Sequence, residues 1–137
     1  MKKIVLISCV KSKLPYKAKA KDLFISPLFQ YKLEYARQIM PDEILVLSSK
    51  YGLLELDQVV EPYDVVLNGL SKAAKQDWAK NVLNQLAKKF DLEKDQFIFL
   101  ASIQYRKYLI KKLPNHEVPF KGLRIGEQLG ELKKNTF

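Results

Sequence analysis

The densest cluster of reactive side chains is Ser8-Cys9-Val10-Lys11-Ser12-Lys13. A cysteine beside lysines can have its thiolate stabilised. A partly buried Lys11 or Lys13 can act as a nucleophilic amine, or can contact an oxyanion or phosphate. The plainer alternative packs Cys9 as a small apolar residue and leaves both lysines in water, since no histidine lies nearby in sequence to serve as a base. Ser48-Ser49-Lys50-Tyr51-Gly52 repeats the theme, with Gly52 suited to a positive φ or a close backbone approach. Glu61-Pro62-Tyr63-Asp64 adds two carboxylates and a phenol, able to orient a base or ribose or to act as general acid or base. The alternatives there are an ordinary turn and a solvated acidic loop.

The catalytic candidates are therefore Lys13 as nucleophile or charge stabiliser, Asp64 as acid, base or orienting group, and Cys9. The candidate ligand contacts are Ser8, Lys11, Ser26, Ser48, Lys50, Tyr51, Gly52 and Tyr63. Neither lysine-bearing loop has the glycine spacing of a P-loop. Gly122-Leu123-Arg124-Ile125-Gly126 lacks dinucleotide-binding spacing and reads as a tight entry into the last helix, whose start can attract an anion. His116 reads as a surface residue beside a strand, and Tyr105 as core.

These residues need strands and helices to hold them. Lys3 to Ser8, Glu43 to Ser48, Gln96 to Ala101 and Glu117 to Phe120 are short apolar runs, which predict four strands, the first covered on both faces. Ser26-Pro27 starts a helix to Ile39, with Leu28, Tyr31, Tyr35 and Ile39 on one face and Phe29, Leu33 and Ala36 widening it. Ser71 caps a helix to about Lys89, buried through Trp78, Val82, Leu83 and Leu86. Ser102 precedes a helix from Ile103 to Leu113, and a last helix runs from about Ile125 to Lys134. Val10 to Asp22 reads as a lysine-rich loop and Leu53 to Gly69 as irregular. The latter is long for such a connection, which marks it for function.

Alternating strands and helices predict an α/β fold: a three-layer, Rossmann-like sandwich around a mainly parallel sheet of about four strands, as a single domain over residues 1–137. Ligands of such sheets sit outside the carboxyl ends of the strands, where Ser8 to Lys11, Ser48 to Gly52 and Ala101 to Gln104 fall.

Composition bounds the rest. The 137 residues are 47% hydrophobic and 28% charged, which fits one globular core and not a disordered chain. No apolar run approaches the ~20 residues of a membrane-spanning helix, so no membrane partner is expected. The lysines after Val10 argue for a strand, not a signal peptide, at the start. One cysteine and one histidine allow no internal disulfide and no zinc site without several carboxylates. A cytoplasmic setting follows as the expectation, with no metal and no cofactor. The net charge of +9 favours nucleic acid or a phosphorylated ligand as partner, or else reflects a lysine-rich surface.

The ordered motifs resemble the small, uncharacterised YaaA-like domains of bacteria and phages. These begin with a strand and a Ser/Gly-Cys-x-Lys-x-Lys-like loop, here Ser8 to Lys13. A segment like Leu23-Phe24-Ile25-Ser26-Pro27-Leu28-Phe29 follows, then Leu47 to Leu53, Pro62-Tyr63-Asp64 and Pro119 to Leu129. Tyr51 stands where many relatives carry histidine. YaaA itself is associated with peroxide stress and DNA binding, which is what the resemblance implies for a nucleic-acid role. The run Cys9 to Tyr16 is also similar to the Pro-Cys-x-x-x-Lys-Pro-Tyr of the archaeosine synthase catalytic domain, with Leu14 inserted. That likeness implies chemistry on a nucleobase.

Two functions are carried forward. One is an enzyme acting on a nucleobase, nucleoside or nucleotide, at an N-glycosidic bond or by modifying the base, with that small molecule as its partner. The other is a non-catalytic nucleic-acid-binding or stress-response module. A structural partner with no site of its own is the third reading.

Overall fold

The computed structural model describes residues 1–120 together with Glu127, Gly130 and Glu131. The expected helix over 125–134 and the glycine-containing turn before it lie almost wholly outside the described residues. In chain order the strands are β1 (Lys3–Ser8), β2 (Ala18–Lys19), β3 (Glu43–Ser48), β4 (Gly52–Glu55), β5 (Val59–Val60), β6 (Gln96–Leu100) and β7 (His116–Glu117). The helices are α1 (Ala20–Leu23), α2 (Pro27–Ile39), α3 (Lys72–Ala87) and α4 (Ile103–Arg106). Leu67–Gly69 and Ile110–Lys112 are short 3-10 turns.

Five strands form the central sheet in the order β4-β3-β1-β6-β7. All its neighbouring strands run parallel except β4, which returns antiparallel on β3. In β1, Ile4 and Leu6 enter one core with α3, whereas Val5 and Ile7 enter a second core with α1 and α2. That is why its apolar run is continuous: alternate side chains face opposite layers, and both layers are covered. Each fully buried side chain of this size adds roughly 1.5–3 kcal/mol.

The sheet is wider than the four strands expected. β4 was missed because Gly52-Leu53-Leu54-Glu55 is brief and precedes a stretch broken by Pro62. Gly52 makes the hairpin turn with φ +77°, and a Cβ there would lie 2.5 Å from Gln85 Oε1. The same Gln85 oxygen accepts a hydrogen bond from the Leu53 N–H at 2.9 Å, so the turn is tied to α3.

The lysine-rich segment is also more ordered than its sequence suggests. Residues 13 and 24 form an isolated antiparallel bridge, and β2 pairs with β5. Ala20 N–H donates to Gln58 O and Lys21 N–H to Leu56 O. Backbone pairing replaces the missing apolar periodicity here.

α2 begins as its Ser-Pro signal predicts: Ser26 Oγ accepts from the Phe29 N–H at 3.2 Å, with Pro27 in the first turn. Its buried stripe is centred on the residues expected to widen the face, together with Lys32. Phe29, Lys32, Leu33 and Ala36 face inward, while Leu28, Tyr31, Tyr35 and Ile39 are only half-buried. On α3, Trp78, Ala79, Val82 and Leu86 are buried and Leu83 packs at the margin. The helix expected over Ile103 to Leu113 stops at Arg106, and Leu109 and Leu113 reach the core from the turns that follow.

Candidate functional site

Cys9 leaves β1 buried, its N–H donating to Leu47 O at 2.9 Å. Its Sγ lies 3.2 Å from Tyr105 Oη and donates to Ser49 Oγ at 3.8 Å. Ser49 Oγ in turn donates to Val65 O at 2.6 Å. Three strand exits are thus joined to the 63–66 segment through one thiol and two hydroxyls. They surround a pocket of about 440 Å³ whose walls include Cys9, Lys11, Lys13, Tyr63, Asp64 and Tyr105.

Lys13 stands over the Tyr63 ring, with Nζ 4.5 Å from its centroid, and donates to Lys11 O at 3.2 Å. Burial lowers its pKa, with Cys9 and Asp64 opposing that shift. Desolvation thus brings the amine closer to its neutral, nucleophilic form, and Cys9 and Asp64 restrain that shift. Tyr63 receives a hydrogen bond from Ser48 Oγ at 2.6 Å. Burial pushes the Tyr63 phenol upward, and Cys9 adds to the shift. The Tyr105 phenol is raised in the same way. Both therefore stay protonated donors at neutral pH.

Ser48 is a positioning residue. Its Oγ also accepts from the N–H groups of Lys50 (3.3 Å) and Tyr51 (3.1 Å), and its carbonyl accepts from Trp78 Nε1 at 2.8 Å. The second strand exit is thereby fixed to α3 on one side and to Tyr63 on the other.

A second pocket, of about 500 Å³, shares the Cys9-Val10-Lys11 wall. It is bounded by Ser8, Ser12, the start of α2, Lys32 and Ser102.

The profile described as "Family of unknown function (DUF6884)" matches residues 4–134. The chain belongs to the DUF6884 family. No curated protein matches it. The family assignment spans both pockets and leaves their chemistry to be argued from the residues.

In this DUF6884 chain, Cys9, Lys11, Lys13, Tyr63 and Asp64 meet at the first pocket. Ser8 and Ser26 join Cys9 and Lys11 at the second. Four candidates line neither. Ser48 is fully buried behind Tyr63. Lys50 is exposed, with Nζ 5.3 Å from the Tyr51 ring. Tyr51 donates to Glu61 O at 3.2 Å and packs edge-on against Tyr63. Gly52 serves the hairpin turn. Of Lys50, Tyr51 and Gly52, Tyr51 backs the wall through Tyr63, and none of the three lines either pocket.

Sequence reasoning passed over Tyr105, Ser49 and Lys32. Tyr105 packs against both cores, as its helical spacing with Leu109 suggested, and its hydroxyl also reaches Cys9. Lys32 carried a readable signal: it sits three residues after Phe29 and four before Ala36, inside the buried stripe. Among the described residues no group of His, Cys, Asp or Glu is arranged to hold a metal, and no helix is long and apolar enough to cross a membrane.

Proposed function

We propose that this chain is an enzyme acting on a nucleobase, nucleoside or nucleotide, with the reacting group beside Lys13 and Asp64. The observation that carries this reading is that an amine of lowered pKa, a carboxylate, a thiol and two protonated phenols surround one pocket. Shifted titratable groups in a cleft are a mark of functional sites.

The strand order supports the reading. The parallel strands β3-β1-β6-β7 are second, first, third and fourth in order among themselves, an order compatible with a doubly wound α/β sheet. In such folds ligands sit where successive crossovers leave to opposite sides, here between the exits of β1 and β6. Cys9 and Tyr105 meet at that place. The similarity of the Cys9 to Tyr16 run to the archaeosine synthase catalytic domain points to the same substrate class. In this site Lys13 stabilises developing negative charge or attacks as an amine, Asp64 handles the proton, and Tyr63 and Tyr105 donate to ring or sugar oxygens. An N-glycosidic bond or an exocyclic base substituent suits these groups.

The basic surface argues less for a nucleic-acid module. Lys19 and Lys21 lie 3.8 and 3.5 Å from Asp57, so part of the lysine-rich segment is already paired.

The test is a thermal-shift screen over nucleobases, nucleosides and nucleotides. A ligand at 100 times its dissociation constant adds about 2.7 kcal/mol of stability. The shift is expected in the wild type and is lost in Lys13→Ala. A full panel without any shift would refute the reading.

A further inference from the structure

Lys32 is unusual for a lysine: it is 4% exposed. Among the described residues its ammonium has no hydrogen bond or ion pair. The charged neighbour that acts on it is another cation, Arg106, and the two effects together bring its pKa down to about 8. A buried cation is costly unless something negative meets it. Carboxylates nearby would be the ordinary remedy, yet no Asp or Glu borders the pocket that Lys32 lines among its described residues.

The other walls of that pocket mix apolar side chains, Val10, Pro27 and Leu28 among them, with hydroxyl donors and Lys11. Ser8, Ser12, Ser26 and Ser102 carry hydroxyls around it. The first turn of α2 faces it through Ser26, Pro27 and Leu28. Pro27 has no N–H and the Phe29 N–H is held by Ser26 Oγ, so the Leu28 N–H is the backbone donor this helix start has to offer. A thirteen-residue helix also brings the positive end of its dipole here. Positive charge, hydroxyls and a backbone N–H with no acceptor among the described residues border one space of about 500 Å³. This is the complement of a compact oxyanion.

We propose that the pocket at the start of α2 is a phosphate-binding subsite whose charge is supplied by Lys32. On the nucleobase reading of the adjoining pocket, that phosphate is carried by a nucleotide lying across the Cys9-Val10-Lys11 wall, which both pockets share. The subsite itself rests on Lys32 and the helix start. Only the identity of the carrier rests on the nucleobase reading.

The test starts with inorganic phosphate against chloride at matched ionic strength, followed by amide chemical shifts in the wild type. Phosphate is expected to move the Leu28 resonance saturably and to raise the melting temperature. Lys32→Met, close in length and without the charge, is expected to weaken phosphate by about tenfold or more, and Lys32→Arg to restore part of it. A Leu28 resonance that stays in place at tens of millimolar phosphate overturns the subsite. That measurement needs no variant, so it stands even if Lys32→Met folds poorly. Nucleoside monophosphates are then compared with their nucleosides. A gain of about tenfold or more from the phosphate, lost in Lys32→Met, supports the nucleotide assignment. Monophosphates that bind no tighter than inorganic phosphate overturn the nucleobase carrier and leave the subsite in place.

Discussion

Lys13 and Lys32 lie on either side of the same segment of chain, and both have their pKa lowered by burial. What surrounds them differs. Cys9 and Asp64 oppose the shift at Lys13, whereas Arg106 deepens it at Lys32. Lys13 is also braced by its contact with the Tyr63 ring and its bond to Lys11 O. The first lysine is thus held among groups that can exchange protons and share charge with a reacting centre. The second has no hydrogen bond or ion pair among the described residues, yet its ammonium is not a sealed, partnerless buried atom, so it is left open to the pocket, a state suited to holding an anion. Burial costs stability at both charged lysines, and at Lys13 Cys9 and Asp64 offset part of that cost, whereas at Lys32 Arg106 adds to it. The contrast separates a pocket for chemistry from a pocket for binding.

The contrast is broken most directly at Lys32. Its pKa of about 8 in the folded state lies below the 10.5 of the free side chain. Between those values the unfolded chain binds more protons, so stability rises with pH across that window. Below about pH 8 the full cost of the buried charge is present. Lys32→Met removes it and is expected to stabilise the protein by about 3 kcal/mol at pH 7, on 1.36 kcal/mol per pKa unit. The gain is expected to shrink through the window and to level off above its upper end. Denaturant unfolding at several pH values measures this, and the difference between the two proteins cancels the titration of Lys13, Tyr63 and Tyr105. A variant less stable than the wild type at pH 7 would mean that a counter-charge already satisfies Lys32.

Much of this arrangement was legible in the sequence, for reasons that differ by residue. β1, β3 and β6 were plain because both faces of the sheet are covered, which forces continuous apolar runs such as Ile4-Val5-Leu6-Ile7. The Ser26-Pro27 and Ser71 signals fixed the starts of α2 and α3 because capping is local chemistry. The place of Ser8 to Lys11 at the rim of the sheet followed from the rule that strand exits gather ligands, whereas Tyr63 and Asp64 come to the same pocket from a loop. Long-range backbone pairing was not legible: β2, β5 and the bridge between residues 13 and 24 join short polar segments with no periodicity. Lys32 was passed over because the face of α2 was drawn through apolar and aromatic residues alone, although its spacing from Phe29 and Ala36 put it on the same buried stripe.

The next contrast concerns what holds Lys13 in place. Ser48 Oγ donates to Tyr63 and accepts from two backbone N–H groups, all at a position with no exposure. Ser48→Ala leaves those partners short of a hydrogen bond and is expected to cost about 1–3 kcal/mol. It should also loosen the ring beneath Lys13, so ligand affinity at the first pocket falls while phosphate affinity at the Lys32 pocket is unchanged. Denaturation midpoints and parallel titrations read the two effects. Equal losses at both pockets would show that they are not separable.

The smallest effect is expected where lysines are merely paired at the surface. Lys19 and Lys21 share Asp57, whose carboxylate is largely exposed, and neither lysine lines either pocket. Water screens such pairs, and holding three side chains together costs entropy. Asp57→Asn is therefore expected to change stability by less than about 1 kcal/mol, and what change there is should fade at high salt. It should leave ligand and phosphate binding untouched. The cluster does sit where Lys21 N–H and Ala20 N–H bond to the 56–58 segment. That backbone pairing, not the ion pairs, is what fixes the lysine-rich segment and through it Lys13. A loss beyond that bound, unchanged by salt, would transfer the positioning role from the backbone to Asp57.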